Sequence, residues 1–218
     1  MINLYNADCL EAMRLMDDNQ YDLAIVDPPY GIDFGEFNRT NKAEAGKRVK
    51  ANKYKNEKWD DGIPTDEYFQ ELQRISKHQI VWGGNYFPYL WSKGCKGFIF
   101  WFKGNPVPNF SDGELAWTSF NKVAKQVDYR YYGNIQGNTC ADNKIHPTQK
   151  PVALYKWLLD NYAKDGDTIL DTHGGSMSIA IACHDMHYDL DLYELDTEYF
   201  NAGKKRLEHH QSQQQFDL

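Results

Sequence analysis

The chain has 218 residues, of which 41% are hydrophobic and 25% charged. That is enough for one α/β domain with a substantial inserted loop, and it argues against wholesale disorder. Lys and Arg number 24 against 31 Asp and Glu, a net charge of −7, which excludes a uniformly basic nucleic-acid coat but leaves room for a local basic patch. Four scattered cysteines, Cys9, Cys95, Cys140 and Cys183, have no CxxC or CxH spacing, so neither a zinc ribbon nor a disulfide framework is expected. The seven histidines offer no metal set. The uncharged stretch 79–92 contains Asn85 and Pro88 and is too short to cross a bilayer. No signal peptide is expected, and a cytoplasmic setting fits this cysteine usage.

Residues 1–8 alternate like a short strand, and Leu10, Met13 and Met16 predict a helix over 9–18. The apolar run 22–26 predicts a buried strand that ends in Asp27-Pro28-Pro29-Tyr30. From 31 to 59 the pattern becomes polar, basic and glycine-containing. Thr65-Asp66-Glu67 reads as a helix start, with Tyr68, Phe69, Leu72 and Ile75 on one face. Further strands are predicted at 80–82, 97–102, 113–120 and 127–132. After a polar stretch come His146-Pro147-Thr148-Gln149-Lys150-Pro151, a helix to about Ala163, a strand at 168–171 and a Gly-Gly-Ser turn. An apolar helix, a strand at 189–193 ending at Glu194, and a helix from Thr197 to about His209 complete the series, with 210–218 expected to fray. Strands alternating with helices predict an α/β domain over 1–218 with an open, doubly wound, mostly parallel sheet. Such sheets bind ligands at the carboxyl ends of their strands, where strand order reverses. The turns at 27–30, 171–176 and 194–196 fall at such ends.

Two consecutive prolines fix φ and remove two donors, which leaves the Pro28 carbonyl rigid and free to accept. Asp27 adds a second acceptor and Tyr30 a flat ring, a set that suits a planar heterocycle carrying an NH₂ group. Here the sequence resembles the amino-methylating DNA methyltransferases, whose signature is this Asp-Pro-Pro-Tyr. The likeness extends to HPTQKP at 146–151, to ILD at 169–171 with its Gly-Ser turn, and to LYELDTEYFNAGKKRL at 192–207. The blocks 59–69, 80–87 and 110–120 are similar to small phage-borne members. The order of the blocks, with the catalytic turn early and the cofactor turn late, resembles the β group. It implies a circularly permuted Rossmann-like S-adenosylmethionine-dependent fold with inserted DNA-contacting loops.

The resemblance implies that Asp27, Pro28, Pro29 and Tyr30 hold a flipped base from double-stranded DNA for methyl transfer from S-adenosylmethionine. Asp171, His173, Gly175 and Ser176 would form the cofactor turn, although Thr172, His173 and Met177 stand where the family writes Pro, Phe and Gly. Glu194 would accept from the ribose hydroxyls. Asp8, with Cys9 beside it, would lie near the cofactor's adenine, and Asp27 would border the same ligand. Lys150 would meet either the methionine carboxylate or an acidic neighbour.

Residues 36–58 carry eight basic side chains against three acids, a local charge of +5. Within the loop 31–58, Arg39, Lys42, Lys47, Arg48, Lys50, Lys53 and Lys55 are expected to meet phosphates beside the extruded base. Region 103–145 is a second candidate reader of DNA sequence. Asp in the first position of the signature favours adenine. A cytosine exocyclic amine, an RNA substrate and a catalytically silent DNA-binding relative are the alternatives. A homodimer is an expectation from the resemblance alone.

Overall fold

The structure is a computed structural model that describes residues 1–32, 62–104, 111–132, 135–136 and 144–214. The basic residues singled out between Arg39 and Lys55, Cys140, and Asn105 and Asn109 of the candidate DNA-reading region 103–145 lie outside the described residues.

In chain order the elements are β1 (Ile2–Tyr5), α1 (Cys9–Met13), β2 (Tyr21–Val26), α2 (Asp66–Ile75) and β3 (Ser76–Trp82). A 3₁₀ turn (Gly84–Tyr86) and α3 (Pro88–Ser92) lead to β4 (Phe98–Phe102), β5 (Gly113–Thr118) and β6 (Lys125–Asp128). Then come β7 (Tyr131–Tyr132), β8 (Ile135–Gln136), α4 (Val152–Tyr162), β9 (Thr168–Asp171), α5 (Ser178–Asp185), β10 (Asp189–Tyr193) and α6 (Thr197–Gln214).

Eight strands form one sheet in the order β1-β10-β9-β2-β3-β5-β4-β6. The five strands from β1 to β3 pair in parallel, whereas β5 runs antiparallel to both β3 and β4. From β9 the chain steps outward through β10, and β1 continues that direction. From β2 it steps the other way to β3, so strand order reverses between β9 and β2. Helices on both faces explain why the β2 sequence is apolar almost without interruption. Leu23 and Ile25 pack with residues of α4, α5 and α6, while Ala24 and Val26 pack with residues of α1, α2 and α3.

The structure corrects three boundaries. Helix α1 stops at Met13, because the Arg74 guanidinium donates to the carbonyls of Met13 and Met16 at 2.8 Å each, where a longer helix would need them. The strand expected over 127–132 divides, since the Tyr129 carbonyl is taken by the Trp101 indole at 2.9 Å and pairing with β4 ends at Asp128. The end expected to fray at 210 stays helical through Gln214, with His210 Nε2 and Asp185 Oδ1 2.6 Å apart. None of the helices among the described residues is long and apolar enough to cross a membrane.

Candidate active site at the strand switch point

The turn after β2 and the turn after β9 leave neighbouring strands, which pair Leu23 with Ile169 and Ala24 with Leu170. Both turns border one cleft of about 900 Å³, whose walls also include Asp8 and Cys9, the 62–65 segment, the HPTQKP motif and Glu194 to Tyr199. The sequence-selected residues Asp8, Cys9, Asp27, Pro29, Lys150, His173, Gly175, Ser176 and Glu194 are therefore brought together. Asp171 is buried behind them and accepts from the His173 N–H at 3.0 Å.

At the catalytic corner Pro28 is buried and Asp27 half-buried. The Tyr30 hydroxyl donates to Asp27 Oδ1 at 2.6 Å, and Lys150 Nζ donates to Asp27 Oδ2 at 2.5 Å. Tyr30 is set by the β3 turn: its ring stacks on Tyr86 at 5.0 Å and meets Phe87 edge-on at 6.2 Å. Gly83, at φ +67°, approaches so closely that an added Cβ would lie 2.1 Å from the Tyr30 ring, which is why a glycine follows Trp82. Of the two partners considered for Lys150, the structure supplies the acidic one. Lys150 is only 3% exposed and stands 3.1 Å from Glu114 Oε2 as well as beside Asp27.

The cofactor side is built from backbone donors and carboxylates. Glu194 Oε2 accepts from Gly175 N at 2.7 Å and Oε1 accepts from Asp196 N at 2.8 Å, so the carboxylate is fixed with lone pairs to spare. Burial raises its pKa above the ordinary value. Asp8 caps α1, and both cap bonds end on Oδ1, from Leu10 N at 2.8 Å and Glu11 N at 3.1 Å. Beside Gly175 the backbone is open, with no atom closer than 3.8 Å to where a Cβ would stand. Thr172 Oγ1 lies 2.7 Å from the Tyr68 hydroxyl and 2.9 Å from His173 Nδ1, which braces the turn against α2.

Burial decides the protonation of the remaining groups. The Cys9 thiol is pushed up to about 12 by burial and then by Asp8, so it stays protonated and is no nucleophile. His173 is pushed down to about 4 by burial. His146, whose ring meets Tyr199 at 4.3 Å, is also pushed down to about 4, by burial and then by Lys150. Among the described wall residues, the carboxylates Asp8, Asp27, Glu194, Asp196 and Glu198 face Lys150 as the one Lys or Arg. Such a wall suits a cationic ligand with ribose hydroxyls. The residues fit S-adenosylmethionine, with Glu194 for the ribose, the open turn at Gly175 for close approach and an acidic wall for the sulfonium.

Sequence reasoning passed over Glu114 and gave Tyr68 only a packing role. The signal for Glu114 was an acid inside the otherwise apolar run of β5, and that for Tyr68 was a phenol in the first turn of a helix beside the cleft.

A glycine turn, a paired-acceptor corner and an acidic strand end, joined at one switch point, are the arrangement of a Rossmann-like methyltransferase. The DNA methylase family N6_N4_Mtase matches this chain over residues 79–205, and the chain belongs to that family of DNA methyltransferases. It is 25% identical to the type II methyltransferase M.HpaI of Haemophilus parainfluenzae over 243 residues, covering 93% of this chain and 73% of that protein. It is 24% identical to the putative methylase YubD of Escherichia coli K12, covering 95% and 90%. The fold is shared with M1.HpyAVI, solved as a complex with SAM (TM-score 0.60, 22% identity, 94% and 100% covered). It is shared as well with the cytosine-N4-specific PvuII DNA methyltransferase (TM-score 0.61, 12% identity, 97% and 90% covered).

Proposed function

We propose that the protein transfers a methyl group from S-adenosylmethionine to the exocyclic amino nitrogen of adenine in double-stranded DNA. The observation that carries this reading is that Asp27 and Pro29 of one corner and the Gly175 turn of the other, on adjacent strands, border a single cleft, with Pro28 and Tyr30 set behind its wall. A donor seated by one corner is thereby within reach of an amine held by the other.

A base inside a duplex cannot present its amine to that cleft, so it must be extruded at a cost of a few kcal/mol. Asp27 accepts one amino proton and the rigid Pro28 carbonyl accepts the other. Both bonds turn the nitrogen lone pair out of the ring's conjugation. The Tyr30 ring, fixed by Tyr86 and Gly83, lies behind the cleft wall and steadies Asp27 through its hydroxyl. Bound at the other corner, the cofactor supplies an electrophilic methyl carbon on a sulfur that leaves as a neutral thioether. Asp27 faces the amine and can hold its surplus proton. Catalysis on this reading is positioning and fixed electrostatics, with no covalent enzyme intermediate.

Asp as the first residue of the corner supports adenine over cytosine, but both bases offer the same pair of amino protons. The likeness of fold to a cytosine-N4-specific enzyme keeps cytosine as the second reading. The test is to incubate the protein with S-adenosylmethionine and DNA, digest to nucleosides and identify the product by mass. N6-methyl-2′-deoxyadenosine is expected, N4-methyl-2′-deoxycytidine would move the reading to the alternative, and no methylated nucleoside would overturn it. Asp27→Ala is expected to abolish transfer while calorimetry still detects cofactor binding.

A further inference from the structure

Four charges alternate beside the catalytic corner, with Lys150 the one buried residue among them. Lys103, after β4, is ion-paired with Glu114 Oε1 on β5. Glu114 Oε2 lies 3.1 Å from Lys150 Nζ, which in turn lies 2.5 Å from Asp27 Oδ2 and 3.2 Å from the Tyr30 hydroxyl. Lys150 is 3% exposed, and Glu114 Oε2 is buried with no hydrogen bond beyond this ionic contact. Methyl transfer by Asp27 and Pro28 makes no direct use of Glu114, which meets Asp27 only through Lys150. As a structural feature it is expensive, because removing charges from water offsets much of their attraction and an apolar pair would hold two strands as well.

We propose that Glu114 is a positioning residue for methyl transfer, acting through the Lys150 ammonium to fix the orientation of Asp27. The proposal rests on the reading that Asp27 accepts from the target amine. A carboxylate offers about four lone-pair sites. Lys150 takes one on Oδ2 and Tyr30 takes one on Oδ1, so Asp27 is pinned at both oxygens and still has acceptors for a base. Lys150 can pin it only while it is charged and held in place. Burial opposes that charge, but Asp27 and then Glu114 outweigh it and raise the lysine above its ordinary value. Glu114 is likewise held down to about 2 by Lys150 and Lys103 against the effect of burial.

The other groups facing Lys150 cannot replace Glu114. Tyr30 and Tyr155 stay neutral, since burial raises both phenols well above their usual range. His146 is neutral, Trp82 offers only its ring at 5.3 Å, and Asp171, held up to about 8, is largely uncharged at neutral pH. Without Glu114 the ammonium keeps Asp27 as its one close anion among the described residues.

The test compares Glu114→Gln and Glu114→Asp with the wild type in methyl transfer to DNA across pH. Glu114→Gln should lower kcat about tenfold to hundredfold, as a misplaced reacting group does. Cofactor affinity should be unchanged, and the alkaline limb of the kcat profile should move to lower pH because Lys150 loses its proton sooner. Glu114→Asp keeps the charge and should recover most of the rate and the limb. The Lys150 signal, followed by NMR in ¹³C-lysine-labelled protein and assigned with Lys150→Arg, should titrate at lower pH in Glu114→Gln even with no substrate present. Wild-type kcat in Glu114→Gln, or a loss of rate with an unmoved limb and an unmoved Lys150 titration, overturns the proposal. An inactive wild type overturns instead the functional reading beneath it.

Discussion

Asp171, His146 and His173 lie in or behind the cleft, and burial shifts their proton equilibria in opposite senses. The Asp171 carboxyl is pushed up to about 8, by burial first and then by Asp27 and Glu194 against the His173 N–H, so it is protonated at neutral pH where an unfolded aspartate is ionised. Both histidines are pushed down to about 4 and stay neutral, whereas an unfolded histidine gains a proton below about 6.5. At Asp171 the folded chain therefore holds the extra proton, and stability from this group falls as pH rises from about 4 to 8. At the histidines the unfolded chain holds the extra protons, and stability falls as pH drops from about 6.5 to 4. Together these groups place a stability maximum near pH 6.5. Urea midpoints measured from pH 5 to 9 should show it, and Asp171→Asn should remove the decline above the maximum while keeping the decline below it. A midpoint in Asp171→Asn that still falls between pH 6.5 and 8 would show that Asp171 is not the group responsible.

The cofactor turn and α5 explain a departure that the sequence showed without its reason. Met177 stands where the resembled family writes glycine, and it adopts the left-handed conformation a glycine would take, with φ 57°. That conformation costs a side-chain-bearing residue about 1–2 kcal/mol. The offset comes from packing: Met177 is fully buried and lies against Gly203 of α6, where an added Cβ would fall 2.7 Å from Met177 Cγ. Met177→Gly should relieve the backbone yet remove buried side-chain packing worth about 2–5 kcal/mol. The expected net change is a destabilisation of up to about 4 kcal/mol, read from denaturant unfolding. A variant as stable as the wild type would mean that the packing of α5 on α6 contributes little. Most elements were legible because their period is local: the run 22–26 and the Thr65 cap need no distant partner to be recognised. Helix α1 was overextended because its terminator, Arg74, is 61 residues from Met13, and no pattern near Met16 announces it.

Across the whole molecule, the two corners were legible as chemistry, and the far end of the charge chain behind them was not. Asp27, Glu194, the glycine turn and Lys150 lie in recognisable motifs, whereas Glu114 gains meaning only when β5 folds beside β3 and brings it to the HPTQKP lysine. Molecular charge adds a prediction of its own. With a net −7 overall and +5 within 36–58, DNA affinity should depend on that segment's Lys and Arg far more than on the average surface. Replacing Lys47, Arg48 and Lys50 with glutamine should weaken binding to all DNA sequences alike. It should also flatten the plot of log affinity against log salt by about 0.9 for each phosphate that is no longer neutralised. An unchanged slope would mean that other residues meet the phosphates.

The pairing of β1 with β10 joins residues 188 apart in the chain, Asn3 to Asp191 among them. During synthesis at about 5–20 residues per second, Ile2–Tyr5 must wait on the order of ten seconds or more for the strand it lies against. Until Asp171 is reached, the nascent chain carries the Asp27 segment without the cofactor turn that faces it. Activity can switch on only after the chain has been made through Glu194. A chain stopped before β9 would carry the Asp27 corner but have no turn with which to seat a donor.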